Sequence, residues 1–231
     1  MMNVLITGAG NGLGYELTKL YADKGYRVFA LTRTIHPRLQ AVAEEYPENV
    51  LAIQCDVGST ESVKNAMKLV AEQTEDIEVI YNNAGIHRFE DWVPLFVADL
   101  DFCKEMYDIN AIGPLRIVKE ALPLLKEGSV IVNISSGGGS IGGMTGTTNY
   151  AYCMSKAAMN MGGRIMDNWL SGWGIRTLMI HPGRMRSGMR GPHSNIAPLE
   201  TAEALVKMIE NVDSIPKENM FMDYLGNPME W

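Results

Sequence analysis

Tyr152 and Lys156 stand four residues apart in the stretch Asn149-Tyr-Ala-Tyr-Cys-Met-Ser-Lys-Ala-Ala-Met159. On a helix that spacing sets both side chains on one face, with Cβ atoms about 5–6 Å apart. A phenol beside an ammonium is a proton donor in the making, because the positive charge favours phenolate and lowers the tyrosine pKa toward neutral pH. The pair alone is common on amphipathic helices, so its meaning depends on what surrounds it. Tyr150 has no Lys or Arg four residues later and competes less well for the same role.

A second cluster suits an anion. Thr7-Gly-Ala-Gly-Asn-Gly-Leu-Gly14 joins an apolar run to a helical pattern. Gly8, Gly12 and Gly14 would let the backbone pass close to a pyrophosphate, with Asn11 and Leu13 between them and the helix N-terminus facing the charge. A tight turn is the plainer explanation of such glycines, but their place at the first strand-to-helix turn favours a dinucleotide. The next apolar run ends at Thr32-Arg33 with no acid nearby to read a ribose 2′-hydroxyl. Arg33 can pair with a 2′-phosphate and Thr32 can donate to it, so NADP(H) is preferred over NAD(H). Asp56, followed by Val57, closes a third run, where a carboxylate can accept from an adenine amino group; a turn leading into a helix explains it almost as well.

The elements that would position these groups alternate strictly. Strands are expected at Asn3–Thr7, Tyr26–Thr32, Val50–Gln54, Glu78–Tyr81, Ser129–Ile134, Ile175–Ile180 and Met220–Asp223. Helices are expected at Leu13–Lys24, Arg38–Tyr46, from Ser59 as N-cap, Asp99–Leu125, around Tyr152 and at Thr201–Asn211. Near-continuous apolar strands between helices predict an α/β fold, a Rossmann-like doubly wound parallel sheet of about seven strands with helices on both faces. Ligands bind such sheets at the carboxyl ends of the strands, and the glycine loop, Asp56, Asn83, Ser136 and Pro182-Gly183 all fall there.

Composition sets the bounds. The chain of 231 residues, 46% apolar and 20% charged, reads as one globular domain over 1–231. A net charge of −7 argues against nucleic-acid or anionic-membrane partners. Cys55, Cys103 and Cys153 form neither a disulfide framework nor a metal-ligand pattern, and no apolar stretch is long enough to span a membrane. The expectation is a soluble cytoplasmic protein, with its 16 methionines acting mainly as adaptable core filler.

Taken together, Thr7-Gly8-x-x-x-Gly12-x-Gly14, Asn82-Asn-Ala-Gly85, Asn110, Asn133-Ile-Ser-Ser136, Tyr152-x-x-x-Lys156 and Pro182-Gly183 closely resemble the short-chain dehydrogenase/reductase family over the whole chain. The long Ser-to-Tyr loop and the C-terminal ending resemble the branch holding bacterial C-factor-type signalling proteins and related carbonyl reductases. The resemblance implies a hydride exchange between nicotinamide and a carbonyl or alcohol substrate. Tyr152 would give or take the proton, and Lys156 would lower its pKa and bind the nicotinamide ribose. Ser136 would hydrogen-bond the substrate oxygen, with Ser135 as its rival, and Asn110 would hold a water that links Lys156 to solvent. Asn83, Ala84 and Gly85 would lie beside the adenosine ribose, and Pro182, Gly183, Met185 and Ser187 beside the nicotinamide.

Some features depart from the family pattern or add to it. Asn11 stands where NADP-preferring members often carry a base, leaving Arg33 as the main phosphate partner. Ser187 replaces a threonine that contacts the carboxamide. Gly183–Leu199 should form a lid, whose Arg184, Arg186, Arg190 and His193 are cationic, while Met144, Met185 and Met189 can line an apolar pocket. His87 and His181 find no partner in the sequence. Gly162-Gly163, costly inside a helix, is expected to pack closely against another helix, and the resemblance, in which this helix and Asp99–Leu125 form the subunit interface, implies a homodimer or homotetramer. The alternative function is a non-catalytic cofactor-binding signalling protein that kept the fold; a lyase or epimerase is a third reading.

Overall fold

The computed structural model describes residues 2–186 and 195–231. Strand β1 (Asn3–Thr7) lies inside a sheet whose order is β3-β2-β1-β4-β5-β6-β7. The others are β2 (Arg27–Thr32), β3 (Val50–Gln54), β4 (Ile77–Asn82), β5 (Leu125–Ile134), β6 (Arg176–His181) and β7 (Phe221–Asp223). Every pairing is parallel. This is the expected doubly wound sheet, and the strand order reverses between β1 and β4, where a crevice opens at the carboxyl ends.

Side-chain alternation along each strand decides which helix covers which face. Val4 and Ile6 of β1 join one core with Leu13, Leu17, Leu39, Leu205 and Ile209, from α1 (Gly12–Asp23), α2 (Pro37–Glu45) and α7 (Pro198–Glu210). Leu5, between them in sequence, faces the opposite core with Val63, Val70 and Ile117 of α3 (Thr60–Ala71) and α5 (Gly113–Ala121). Val118 and Ile131 extend that second face to Met166 and Leu170 of α6 (Tyr150–Leu170). Ser59 caps α3 as expected, accepting from the Ser62 amide at 3.2 Å.

The expected helix over Asp99–Leu125 is not continuous. It divides into α4 (Phe102–Tyr107), a wide π-type turn at Asp108–Ile112, α5 and a short 3₁₀ turn at Leu122–Leu124, and Leu125 already belongs to β5. Pro114 supplies the reason. It has no N–H to return to the carbonyl of Asn110 four residues back, and its ring crowds that carbonyl, so the helix widens there.

Gly163 also has a different explanation from the one expected. A Cβ on it would come within 2.5 Å of Met179 Sδ and 3.2 Å of Asn133 Nδ2, both in the chain's own sheet. Glycine at 163 therefore lets α6 lie close on β5 and β6. Gly162 faces Leu115 of α5 at 3.5 Å, again within the chain.

Candidate active site

A cleft of about 870 Å³ runs along the carboxyl ends of the strands. At the switch point the loop after β1 is fastened to the end of β4. The Thr7 hydroxyl accepts from the amides of Asn83 and Ala84, each at 3.0 Å, and donates to Tyr81 O at 3.2 Å. Asn83 Nδ2 donates back to Thr7 O and Gly8 O. Thr7 is thus buried behind the wall, whereas Gly8, Asn11, Leu13, Asn83, Ala84 and Gly85 line the cleft. Gly14 is also behind it, where a Cβ would strike Gly8 O at 2.4 Å, and Gly12 holds the turn at φ +53°.

This wall fits a dinucleotide. A Cβ on Gly8 would meet Ala84 Cα at 2.9 Å, so the glycine keeps the cradle shallow. The Asn11 side chain makes no capping hydrogen bond to α1, whose first turn carries no acid, leaving its amides to a negatively charged group.

At the end of β2, Arg33 is exposed and lines the cleft. Thr32 does not serve as expected: its hydroxyl donates to Thr34 O at 3.1 Å and is nearly buried. His36, which the sequence reading passed over, lines the same end of the cleft. Asp56 and Val57 line it too, and Asp56 Oδ1 accepts from the Gly58 amide at 2.9 Å, shaping the turn into α3.

At the other end, α6 brings Tyr152 and Lys156 to one wall. Lys156 is buried, and Nζ donates to Ile134 O at 2.8 Å, while lying 5.8 Å from the centre of the Tyr152 ring. Burial pulls the ammonium down to about 8. Burial likewise raises the Tyr152 phenol above its ordinary range, against a hydrogen bond with Ser136 that lowers it. The expected direct lowering of the phenol by Lys156 is not the governing effect, because desolvation acts on both groups and the ammonium is turned toward a carbonyl.

Ser136 and Ser135 separate cleanly. Ser135 Oγ donates to Asn160 Oδ1 at 2.6 Å within the core. Ser136 is half-buried at the cleft, caps the short turn Gly137–Gly139 and pulls the Tyr152 phenol down against burial. Asn110 is fully buried, and its side chain is used up. Oδ1 accepts from Ile86 N at 2.8 Å, and Nδ2 donates to Ile86 O and Ser155 Oγ. A bridge from Asn110 to Lys156 would thus fall to its main-chain carbonyl, the group that Pro114 deprives of its helical partner.

Pro182, Gly183, Arg184 and Met185 line the cleft beyond β6. Met185 pairs with Ile196 as an isolated parallel bridge, pinning the base of the expected lid. Ser187, Met189, Arg190 and His193 lie outside the described residues.

Two contributors were not legible in the sequence. Asp91, 4% exposed, caps α6 from outside: Oδ1 accepts from Ala151 N at 3.1 Å and Oδ2 from Tyr152 N at 2.9 Å. Its own carbonyl accepts from Asn149 N at 2.8 Å, and Asn149 is the one non-glycine residue with positive φ (66°) among those described. His87 stacks on the Tyr152 ring with centroids 4.3 Å apart. Only an acidic side chain near Trp92 in a loop, without helical or strand period, marked this segment, and that signal is too weak to read.

Residues 2–196 match the short chain dehydrogenase family. The chain is 31% identical to the 1-hydroxy-2-glutathionyl-2-methyl-3-butene dehydrogenase of Rhodococcus sp. (strain AD45), over 92% of each chain. It is 32% identical to the C-signal protein of Myxococcus xanthus over 68% of this chain and 95% of that one. Its fold overlays on an NADPH-bound carbonyl reductase from chicken fatty liver with a TM-score of 0.87, at 26% identity, covering 100% of this chain and 99% of the other. With the strand order, the glycine turn and the Tyr152–Lys156 wall in place, the chain belongs to the short-chain dehydrogenase/reductase family and is an oxidoreductase of the CH–OH/C=O group.

Proposed function

We propose that this protein is an NADP(H)-dependent carbonyl reductase, or alcohol dehydrogenase in reverse, with Tyr152 as its proton donor and acceptor. The observation that carries the reading is that one cleft holds the glycine turn and Arg33 at one end and Ser136, Tyr152 and Lys156 at the other. When bound there, the nicotinamide supplies or takes the hydride. Gly8, Asn11 and Leu13 receive the pyrophosphate, Arg33 takes a 2′-phosphate with His36 beside it, and Asp56, Val57 and Ala84 flank the adenosine. Lys156, Pro182, Gly183 and Met185 hold the nicotinamide end.

Ser136 donates to the substrate oxygen and orients it toward the Tyr152 phenol. Tyr152, kept protonated by burial, passes its proton to that oxygen as the carbonyl is reduced, and Lys156 favours the phenolate that is left. Free thiols at Cys55, Cys103 and Cys153 suit a reducing, cytoplasmic setting. No helix among the described residues is long and apolar enough to cross a membrane. Exposed Met154, Met161, Ile165 and Trp169 form a stripe along α6 that a second copy would cover, in a homodimer or homotetramer.

The test is NADPH consumption over a panel of aldehydes and ketones. Turnover lost in Tyr152→Phe with NADPH binding kept supports the proposal; turnover that survives in this variant refutes the proton-donor role. NADPH binding with no turnover of any carbonyl would shift the reading to the signalling alternative.

A further inference from the structure

We infer that His87 is a substrate-recognition residue whose Nδ1–H donates to an oxygen on the carbon next to the reacting carbonyl. The inference rests on the reading of Tyr152 as the proton donor. His87 lines the cleft and lies face to face with the Tyr152 ring, 4.3 Å between centroids and 29° between planes. A substrate carbonyl presented to Tyr152 therefore sits beside the imidazole as well.

The neighbours of the ring decide where its proton is. Trp92 Nε1 lies 3.0 Å from His87 Nε2. An indole N–H can only donate, so Nε2 must offer its lone pair and the proton of the neutral ring stands on Nδ1. Asn149 meets the same Nε2 at 3.1 Å through Oδ1, and its Nδ2 lies 3.3 Å from Thr148 Oγ1. A half-turn of that amide, whose two ends are equal in size, removes the opposition of Oδ1 to the Nε2 lone pair and gives the amide oxygen the Thr148 hydroxyl proton, while that lone pair stays with the indole N–H. The opposite tautomer would set Nε2–H against the indole N–H only 3.0 Å away. Burial holds the imidazole below its ordinary pKa, against the charge of Asp91, which keeps the ring neutral at physiological pH.

Nδ1 has no protein partner among the described residues and is not sealed from solvent, and His87 lines the cleft. A donor left open beside the proton-transfer group suits a substrate that carries a second acceptor, such as a 1,2-dicarbonyl or an α-alkoxy ketone. A simple ketone would leave that donor unpaired, which is how a polar group in a site discriminates.

Two measurements test this in the intact protein. Proton–nitrogen correlation spectra of the imidazole, assigned by difference from His87→Phe, should show Nδ1 protonated and Nε2 bare; a protonated Nε2 overturns the inference whatever the enzyme turns over. His87→Phe keeps a ring on Tyr152 and removes the donor. Its kcat/KM for a 1,2-diketone should fall roughly five- to tenfold, mostly through KM, with less than about twofold change for the monoketone of the same skeleton. Equal losses on both, or none, overturn the inference alone. A wild type that turns over neither compound with NADPH overturns this inference, whereas the reading of Tyr152 falls only if turnover survives in Tyr152→Phe.

Discussion

Tyr152 and Lys156 illustrate how one environment tunes two neighbouring groups in opposite senses. Burial favours the neutral form of each, raising the phenol and lowering the ammonium to about 8. A phenol kept protonated suits reduction at neutral pH, whereas oxidation needs phenolate. Alcohol oxidation should therefore keep rising with pH above neutrality while carbonyl reduction falls, which initial rates in both directions will show. The lysine also carries a stability signature. Its folded pKa lies below the ordinary 10.5, so the folded state binds fewer protons between about pH 8 and 10.5, and stability rises with pH across that window. Below it the desolvation penalty is felt in full. Lys156→Met should accordingly be inactive yet more stable than wild type at pH 7 in urea melts, with the gap narrowing by pH 10. A gap of the same size at both pH values would count against the buried cation. At the other end of the cleft, Arg33→Ala should weaken NADPH at least about tenfold more than NADH. Equal losses measured by titration would remove the preference for the phosphorylated cofactor.

At the scale of the element, α6 is governed by contacts from outside itself. Its N-terminus has no side-chain cap from Asn149, and both oxygens of the buried Asp91 fill that place. Losing a cap costs about 1–2 kcal/mol, and here the loss also frees the amide of Tyr152 itself. Asp91→Ala should lower stability by about that amount and reduce kcat more than it raises KM; an unchanged kcat would show that the cap does not set the register of Tyr152. The adjacent glycines make a paired test. Gly163→Ala drives a methyl to 2.5 Å from Met179 Sδ and should cost about 1–3 kcal/mol by overpacking. Gly162→Ala meets only Leu115 at 3.5 Å and should be neutral or stabilising by up to about 1 kcal/mol. Thermal melts that rank the two in the reverse order would place the helix differently on the sheet.

For the whole molecule, the parallel sheet with helices on both faces leaves an apolar face of α6 uncovered among the described residues. Met154, Met161, Ile165 and Trp169 are each more than half exposed along α6, and such a stripe marks an interaction surface. Sedimentation at micromolar concentration should show a dimer or larger species, and Met161→Glu with Ile165→Glu should shift it toward monomer. A wild-type monomer would sink the proposed assembly. The C-terminal segment is tied into the same architecture. Trp231 O accepts from Gly142 N at 2.7 Å and Glu230 O accepts from Ser140 Oγ at 2.6 Å. The end of the described chain thus braces the loop that follows Ser136.

Much of this was written locally in the chain. Periodicity located the seven strands to within a few residues, because buried parallel strands are near-continuous apolar runs; the glycine turn, Arg33 and Ser136 were marked by type and by their places at strand ends, and Tyr152 and Lys156 by type and helical spacing. The interruption at Asn110 was less visible, since Pro114 acts on a carbonyl four residues back and helix content masks a widened turn. Asp91 and His87 could not be read at all. Their roles depend on a loop folding back over α6, about sixty residues distant in sequence, and no local pattern encodes that approach. The same holds for Thr32, whose hydroxyl was taken by its own turn, and for Gly163, whose partner is the sheet beneath it. Sequence alone determined which residues could do the chemistry, because residue type and spacing are local properties. Tertiary structure alone decided which groups have hydrogen bonds to spare and which are buried beside Tyr152, because desolvation and pairing are set by neighbours brought together only when the chain folds.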